Sequence, residues 1–227
     1  AGTLALLGVV TIGYLYPIRN YLERNNEPAE FRSSTIRMMM VAAGLSGVAL
    51  LGTWGSVLWS APWADKLSNG MAGAKQYTQL CSALGATIGC FIAAVVGEKF
   101  SRRGAYAFLL LVSLGSAQLF FRTNDSFGPW FLFTIFLAGA LTAAFYGWLP
   151  LYLPELFPTR VRATGQGFGF NFGRILAAIG TLQTGALMND VFGGDYGKAC
   201  SAMSFIYLVG FLLLPLMRET RGQPLPE

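Results

Sequence analysis

The chain has 227 residues, 54% of them hydrophobic and only 12% charged, whereas soluble domains run at about 25% charged. That balance, with a mean hydropathy of +0.51, excludes an ordinary soluble domain and points to a polytopic helical membrane protein, since crossing a bilayer takes about 20 apolar helical residues. The net charge of +5 sits in short loops between apolar runs, the pattern that orients membrane helices, so nucleic acid is not expected as a partner.

Seven spans are expected in chain order, at 3–18, 37–60, 77–97, 104–121, 128–152, 163–188 and 198–217. The first, "TLALLGVVTIGYLYPI", is short for a full crossing. The chain opens "AGTLALLGVV", without an initiator methionine or a basic leader, and reads as a fragment. Between the first two spans, "RNYLERNNEPAEFRSSTIR" mixes both charges with Pro28, Asn25 and Asn26 and is read as a linker. The other loops are short. No alternation of polar and apolar residues suggests barrel strands.

Orientation follows from the cations. With 19–37 placed in the cytoplasm, the same side holds Arg19, Arg24, Arg32, Arg37, Lys99, Arg102, Arg103, Arg160, Arg162, Arg218 and Arg221. The opposite side holds Lys66, Lys75, Arg122 and Lys198, and Arg174 lies within a span. That bias puts the C-terminus in the cytoplasm. Every Asp then falls outside and every Glu inside.

Little in the chain suggests catalysis. It has no histidine, which removes the commonest metal ligand and general base. Cys81, Cys90 and Cys200 lack metal-ligand spacing. A membrane-embedded enzyme would cluster Asp, His, Ser or Glu within its spans, and no such cluster is present. The chain is therefore not read as an enzyme, and neither a cofactor nor a metal is expected.

Three cytoplasmic segments each combine a glutamate with arginines. Glu98 is expected to sit with Arg102 and Arg103 in "GEKFSRRGAY", Glu155 with Arg160 and Arg162 in "LPELFPTRVRATG", and Glu219 with Arg218 and Arg221 in "RETRGQPLPE". Pairs at a low-dielectric boundary are strengthened, and such clusters can latch helix ends in one conformation and release them in another.

These segments resemble the major facilitator superfamily, in its branch of sugar porters and metabolite–proton symporters. "PELFPTRVRATG" is similar to that family's loop between helices ten and eleven, and "RETRG" to its box after helix twelve. "GEKFSRR" resembles a degenerate copy of its "G-x-x-x-D-R-x-G-R-R" loop. In that copy Glu98 stands for the Asp, Lys99 for the first cation, Ser101 for a Gly and Ala94 for the leading Gly.

The resemblance implies an all-α membrane fold, the six-helix C-terminal bundle of a major facilitator. Residues 1–18 would be the end of helix six and 19–36 the central cytoplasmic loop. Residues 37–217 would hold helices seven to twelve, and 218–227 the cytoplasmic tail. It implies a secondary active transporter in the cell (inner) membrane, with the N-terminal six-helix half, the lipid bilayer, a small-molecule substrate and a proton as partners. A neutral sugar porter, or a non-transporting receptor or assembly protein of the same fold, is the alternative.

The span at 163–188 carries the candidate site. Gly165, Gly169, Gly173, Ala177, Thr181 and Gly185 recur every four residues and form a ridge of small residues, which reads as helix packing. Arg174 lies about 16 Å along this helix at ~1.5 Å per residue, near mid-membrane, where an arginine costs about 2.5–3.5 kcal/mol on translocon scales. It therefore needs an anion or a wet cavity, and no Asp or Glu falls within any expected span. Asn171 shares its face, and Gln166 lies two turns before it. "NFGR" at 171–174 resembles a polar run that the family carries here.

Tyr146 and Trp54 are the further substrate-binding candidates, and Gly147 and Pro150 could bend the helix of Tyr146. Trp63 is read as an interfacial anchor, the commoner role also of Tyr146 and Trp148. Gln76 and Gln79 are read as near-surface polar residues. The buried cation favours an organic anion, such as a carboxylate or an acidic sugar, as substrate.

Overall fold

A computed structural model describes residues 2–227, apart from the side chains of residues 2–7, 10, 11 and 14. Residue 1, the first residue of the segment 1–18 expected to end helix six, lies outside the described residues. The described residues are mostly helical, with no strand among them. The elements are α1 (Gly2–Arg24), α2 (Ala29–Gly55), a 3-10 turn (Val57–Trp59) and α3 (Ser60–Leu67). They continue with α4 (Ala74–Lys99), α5 (Arg102–Thr123), α6 (Pro129–Glu155), α7 (Arg162–Asp190), α8 (Tyr196–Ser204) and α9 (Ile206–Phe211).

Among the described residues five stretches are long and apolar enough to cross a membrane: Ala29–Leu67, Ala74–Lys99, Arg102–Thr123, Pro129–Glu155 and Tyr196–Leu216. α7 has 29 residues, but its glycines, Gln166, Asn171 and Arg174 dilute its hydropathy. The segment 19–36, read as a loop, is helical over 19–24 and again from Ala29. Only residues 25–28 turn the chain. Asn26 there takes a positive φ of 53°, which Asn tolerates better than most residues, and Pro28 precedes the first turn of α2.

Two helix pairs organise the bundle, α4 on α6 and α2 on α7. In both, small residues let the backbones touch, as expected where lipid supplies no hydrophobic drive between helices. A Cβ at Gly89 would overlap the Ala140 carbonyl oxygen, and one at Gly147 the Cys90 carbonyl oxygen. The ridge on α7 does what its spacing predicts. Gly169 meets Ala42, Gly173 meets Ser46 and Gly47, and Ala177 is buried.

Aromatic side chains fill the two ends. Tyr106, Phe145, Trp148, Tyr152 and Tyr207 are fully buried in one cluster, where Trp148 stacks on Tyr152 with centroids 4.9 Å apart. Trp63 centres the other cluster, 5.3 Å from Phe120 and 5.5 Å from Phe131. Trp63 is only 6% exposed, so it is a core residue and not the interfacial anchor its position suggests. The fold of α3 against the ends of α5 and α6 covers it.

Gly89→Val should destabilise the bundle by about 1–3 kcal/mol, the usual cost of overpacking. The check is thermal unfolding in detergent, with Gly115→Ala as the control, because a Cβ at Gly115 meets open space.

Candidate functional site

The pairings just described leave a cavity of about 420 Å³ between α2, α4 and α6. Thr53 and Trp54 wall it from α2, Ser82 and Cys90 from α4, and Thr142 and Tyr146 from α6. A smaller lobe of about 230 Å³ shares Thr53, Trp54 and Ser82 and extends to Ser60 and Gln79. Gln79 is thus a lining residue and not merely a near-surface one.

The wall from α2 is shaped by a helix break. α2 stops at Gly55, Ser56 leaves the helical region at φ −126° and ψ −69°, and the chain resumes through the 3-10 turn. A break frees carbonyls that must find donors in a low-dielectric setting. α7 supplies them: Thr181 Oγ1 donates to the Trp54 carbonyl at 3.1 Å, and Thr184 Oγ1 donates to the Gly55 carbonyl at 2.8 Å. α6, where Gly147 and Pro150 suggested a bend, continues as one helix to Glu155.

Of the substrate-binding candidates singled out in the sequence, one pair is joined by a direct hydrogen bond. Trp54 Nε1 donates to the Tyr146 hydroxyl at 3.0 Å across the cavity wall. Arg174 is exposed on α7 and has no ion pair among the described residues. It lies two turns before Thr181 on α7 and lines neither lobe of the cavity. Asn171 and Gln166 are half-buried on α7 and line neither lobe.

Sequence reasoning missed Thr53, Ser82, Cys90 and Thr142. Each is a small polar residue in an apolar run, with a signal no different from hydroxyls that bond to their own helix. Thr142 Oγ1, for example, donates to the Ala138 carbonyl at 2.8 Å.

A second charged region lies at the end of the bundle that carries the C-terminal tail. Arg102 grips Glu155 with two bonds, Nε to Oε2 at 2.8 Å and Nη2 to Oε1 at 2.5 Å. Their side chains are only 11% and 16% exposed. This forked geometry is among the stronger ion-pair arrangements. Glu155 also accepts from Thr220 Oγ1 at 2.5 Å.

The tail runs as a strap over the helix ends. Arg103 Nε donates to the Met217 carbonyl at 2.9 Å, and the Tyr152 hydroxyl to the Arg218 carbonyl at 2.8 Å. Arg162 Nη2 donates to the Pro226 carbonyl at 2.6 Å, and Arg218 Nη2 to Ser34 Oγ at 2.6 Å. Glu219 accepts the backbone N–H groups of Arg102 at 2.8 Å and Arg103 at 3.3 Å. It thereby sits on the N-terminus of α5, where a helix favours an anion. Burial raises the proton affinity of Glu219. The N–H donors of Arg102, Arg103 and Arg221 and the Arg102 charge outweigh that, and the net shift is downward.

The pairing expected from sequence is therefore rewired. Glu155 binds Arg102, not Arg160 or Arg162. Arg160 pairs with Glu27 in the turn between α1 and α2, and Arg162 binds carbonyls. Glu98 is exposed and makes no ion pair among the described residues. Glu219 binds backbone N–H groups, including that of Arg221 at 3.3 Å. Sequence neighbours at a helix end point apart around the axis, while ends of different helices converge.

No family model matches the chain. It is 32% identical over 137 residues to the inner membrane metabolite transport protein YhjE of Escherichia coli, covering 59% of this chain and 30% of that protein. It is 40% identical over 103 residues to NiaP of Bacillus subtilis, assigned to niacin/nicotinamide transport, covering 44% of this chain and 24% of that protein. It is 29% identical over 143 residues to the cis,cis-muconate transport protein of Acinetobacter baylyi, covering 60% of this chain and 32% of that protein.

These relatives are metabolite transporters, consistent with the resemblance of the charged loops to the major facilitator superfamily. The chain spans about a third or less of the length of these three relatives, in keeping with the C-terminal half of such a transporter. The charged segments that carry the resemblance meet at the tail-end cluster, and two of the three helices that wall the cavity, α4 and α6, run into those segments.

Two outcomes are expected at the tail end. Removing one partner of the Arg102–Glu155 pair, by Arg102→Ala or Glu155→Ala, should cost about 3–5 kcal/mol, because it strands a mostly buried charge. The double variant should cost less than the two singles combined, as a double-mutant cycle of thermal unfolding would show.

The folded pKa of Glu219 is lowered, so its contribution is complete above the ordinary carboxylate value of 4.5 and is lost as pH falls through the folded value. Hydrogen exchange of residues 217–226, corrected for intrinsic rate, should therefore accelerate below about pH 4.5. In Glu219→Gln it should be fast already at neutral pH and nearly flat with acidification.

Proposed function

We propose that this chain is the C-terminal half of a secondary active transporter that moves a small organic anion by alternating access, coupled to protons. The observation that carries the reading is a cavity with a few hydroxyls on largely apolar walls, beside a broken helix whose freed carbonyls are bonded by α7, the helix that also carries the exposed cation Arg174. Discontinuous helices and mid-bilayer sites recur together in transporters, and an intramembrane arginine with no carboxylate in the expected spans of its own chain favours an anion as its partner.

Arg174 is given the role of substrate cation, with Tyr146 and Trp54 as orienting groups and Asn171 and Gln166 as supporting residues on the same helix. The N-terminal six-helix half would close the cavity. The exposed apolar face of α4, with Leu80, Leu84, Ile88 and Phe91, fits burial against it or against lipid. Cis,cis-muconate is a dicarboxylate and niacin a carboxylate, and both names belong to relatives of this chain. Small carboxylates are therefore the first substrates to try. The proton-coupling acid is placed in the other half, since the expected spans here hold no Asp or Glu.

The tail-end cluster is the cytoplasmic latch in this reading. Arg102–Glu155 and the strap over α5, α6 and α7 hold the helix ends in one arrangement, and rocking of the two halves would load and unload these bonds.

The test is uptake of labelled cis,cis-muconate into proteoliposomes holding the full-length protein, with and without an imposed proton gradient. Arg174→Ala should raise KM about tenfold or more, as expected from losing a charged hydrogen bond of about 1.5–3 kcal/mol, and Arg174→Lys should recover part of it. Unchanged carboxylate uptake in Arg174→Ala would remove the substrate role from this residue. Uptake of a neutral sugar in preference to any carboxylate would favour the neutral sugar porter.

A further inference from the structure

At the end of the bundle opposite the tail lies a larger cavity of about 970 Å³, walled by the end of α3, the end of α5 and the turn from α7 into α8. It shares no lining residue with the cavity between α2, α4 and α6. Three cations border it. Lys198 is neutralised by Asp195 at 3.2 Å. Lys66 Nζ donates to the Gly194 carbonyl at 2.9 Å and stands 5.6 Å from the Tyr196 ring centroid. Arg122 Nε donates to Ser201 Oγ at 3.2 Å. Lys66 and Arg122 have no carboxylate partner among the described residues, and Asp125 on the same wall has no ion pair there. The cavity thus offers two uncompensated cations against one carboxylate, which suits a monoanion.

What lies beside this cavity identifies the anion. Arg122 ends an exposed face of α5 that includes Phe108, Leu111 and Gly115, residues spaced by three, four and seven. α5 packs against α8 and α9, and that side exposes Phe205, Leu208 and Leu212, the last at 73%. Phe205 also lines the cavity, so the polar pocket continues into an apolar surface strip. Gly115 leaves a notch midway, with no atom within 4 Å of where its Cβ would stand. A small solute such as free phosphate would use the pocket and leave the strip idle. A phospholipid uses both.

We propose that this cavity is a docking site for the phosphodiester headgroup of a membrane phospholipid, held by Arg122 and Lys66, with an acyl chain in the strip between α5 and α8–α9. A basic pocket among helix ends is suited to an anionic headgroup, and an exposed ion pair contributes up to about 1 kcal/mol, or roughly fivefold. The site does not depend on what the transporter carries.

Native mass spectrometry of the full-length protein in detergent, with added phosphatidylglycerol, tests this directly. The wild-type protein should retain phospholipid, and Arg122→Gln and Lys66→Gln should each lower retention by up to about fivefold. Gly115→Phe, which fills the notch on an exposed face, should lower it as well. Melting in lipid-free detergent should match the wild type for all three, since none of these side chains is buried, and addition of phosphatidylglycerol should raise the wild-type melting temperature most. Stabilisation by inorganic phosphate equal to that by phosphatidylglycerol would make this a free-phosphate site and overturn the lipid assignment. Full retention in the Arg122→Gln/Lys66→Gln double variant would overturn the site altogether.

Discussion

Backbone contact between helices is the constraint on which the rest of this structure depends. Within lipid, apolar side chains gain nothing by leaving one apolar neighbour for another, so helices associate where small residues let main chains approach. Gly89 and Gly147 do this for α4 and α6, and the ridge of Gly169, Gly173 and Ala177 does it for α2 and α7. The two pairs form two closely packed slabs. The cavity between α2, α4 and α6 is the space left where the slabs meet.

The break in α2 depends on the second slab. Ending α2 at Gly55 releases the carbonyls of Trp54 and Gly55, and each unsatisfied group would be costly at this depth. Thr181 and Thr184 on α7 supply the missing donors, and they can do so only because the glycine ridge holds α7 against α2. Close packing thus permits the irregular backbone, and the irregular backbone positions Trp54 to bind Tyr146 across the cavity wall. The same helix that supports the break also carries Arg174, two turns before Thr181.

At the tail end the organising force is electrostatic rather than steric. Arg102 and Glu155 come from different helices, and their forked pair is tied to the tail through Thr220. Glu219 adds an anion at the N-terminus of α5. Most of the strap is side chain to backbone, so the tail can dock without needing its own secondary structure. The opposite end differs: its cations are only partly compensated, and its cavity opens toward the apolar flank of α5 and α8.

The sequence by itself determined what depends on local pattern: a helical membrane protein, the approximate spans, the small-residue ridge of α7 and the family resemblance of the charged loops. Each of these is written in composition, in a period of four, or in a contiguous motif. Only the tertiary structure decided which charges meet, because Glu155 finds Arg102 and Arg160 finds Glu27 through helix ends that are far apart in the chain. It also decided that Trp63 is core, since the burial of a residue near a helix end depends on what folds over it. Thr53, Ser82, Cys90 and Thr142 became cavity residues for the same reason: a small polar side chain in an apolar run has no distinguishing mark until neighbouring helices give it a surface to face.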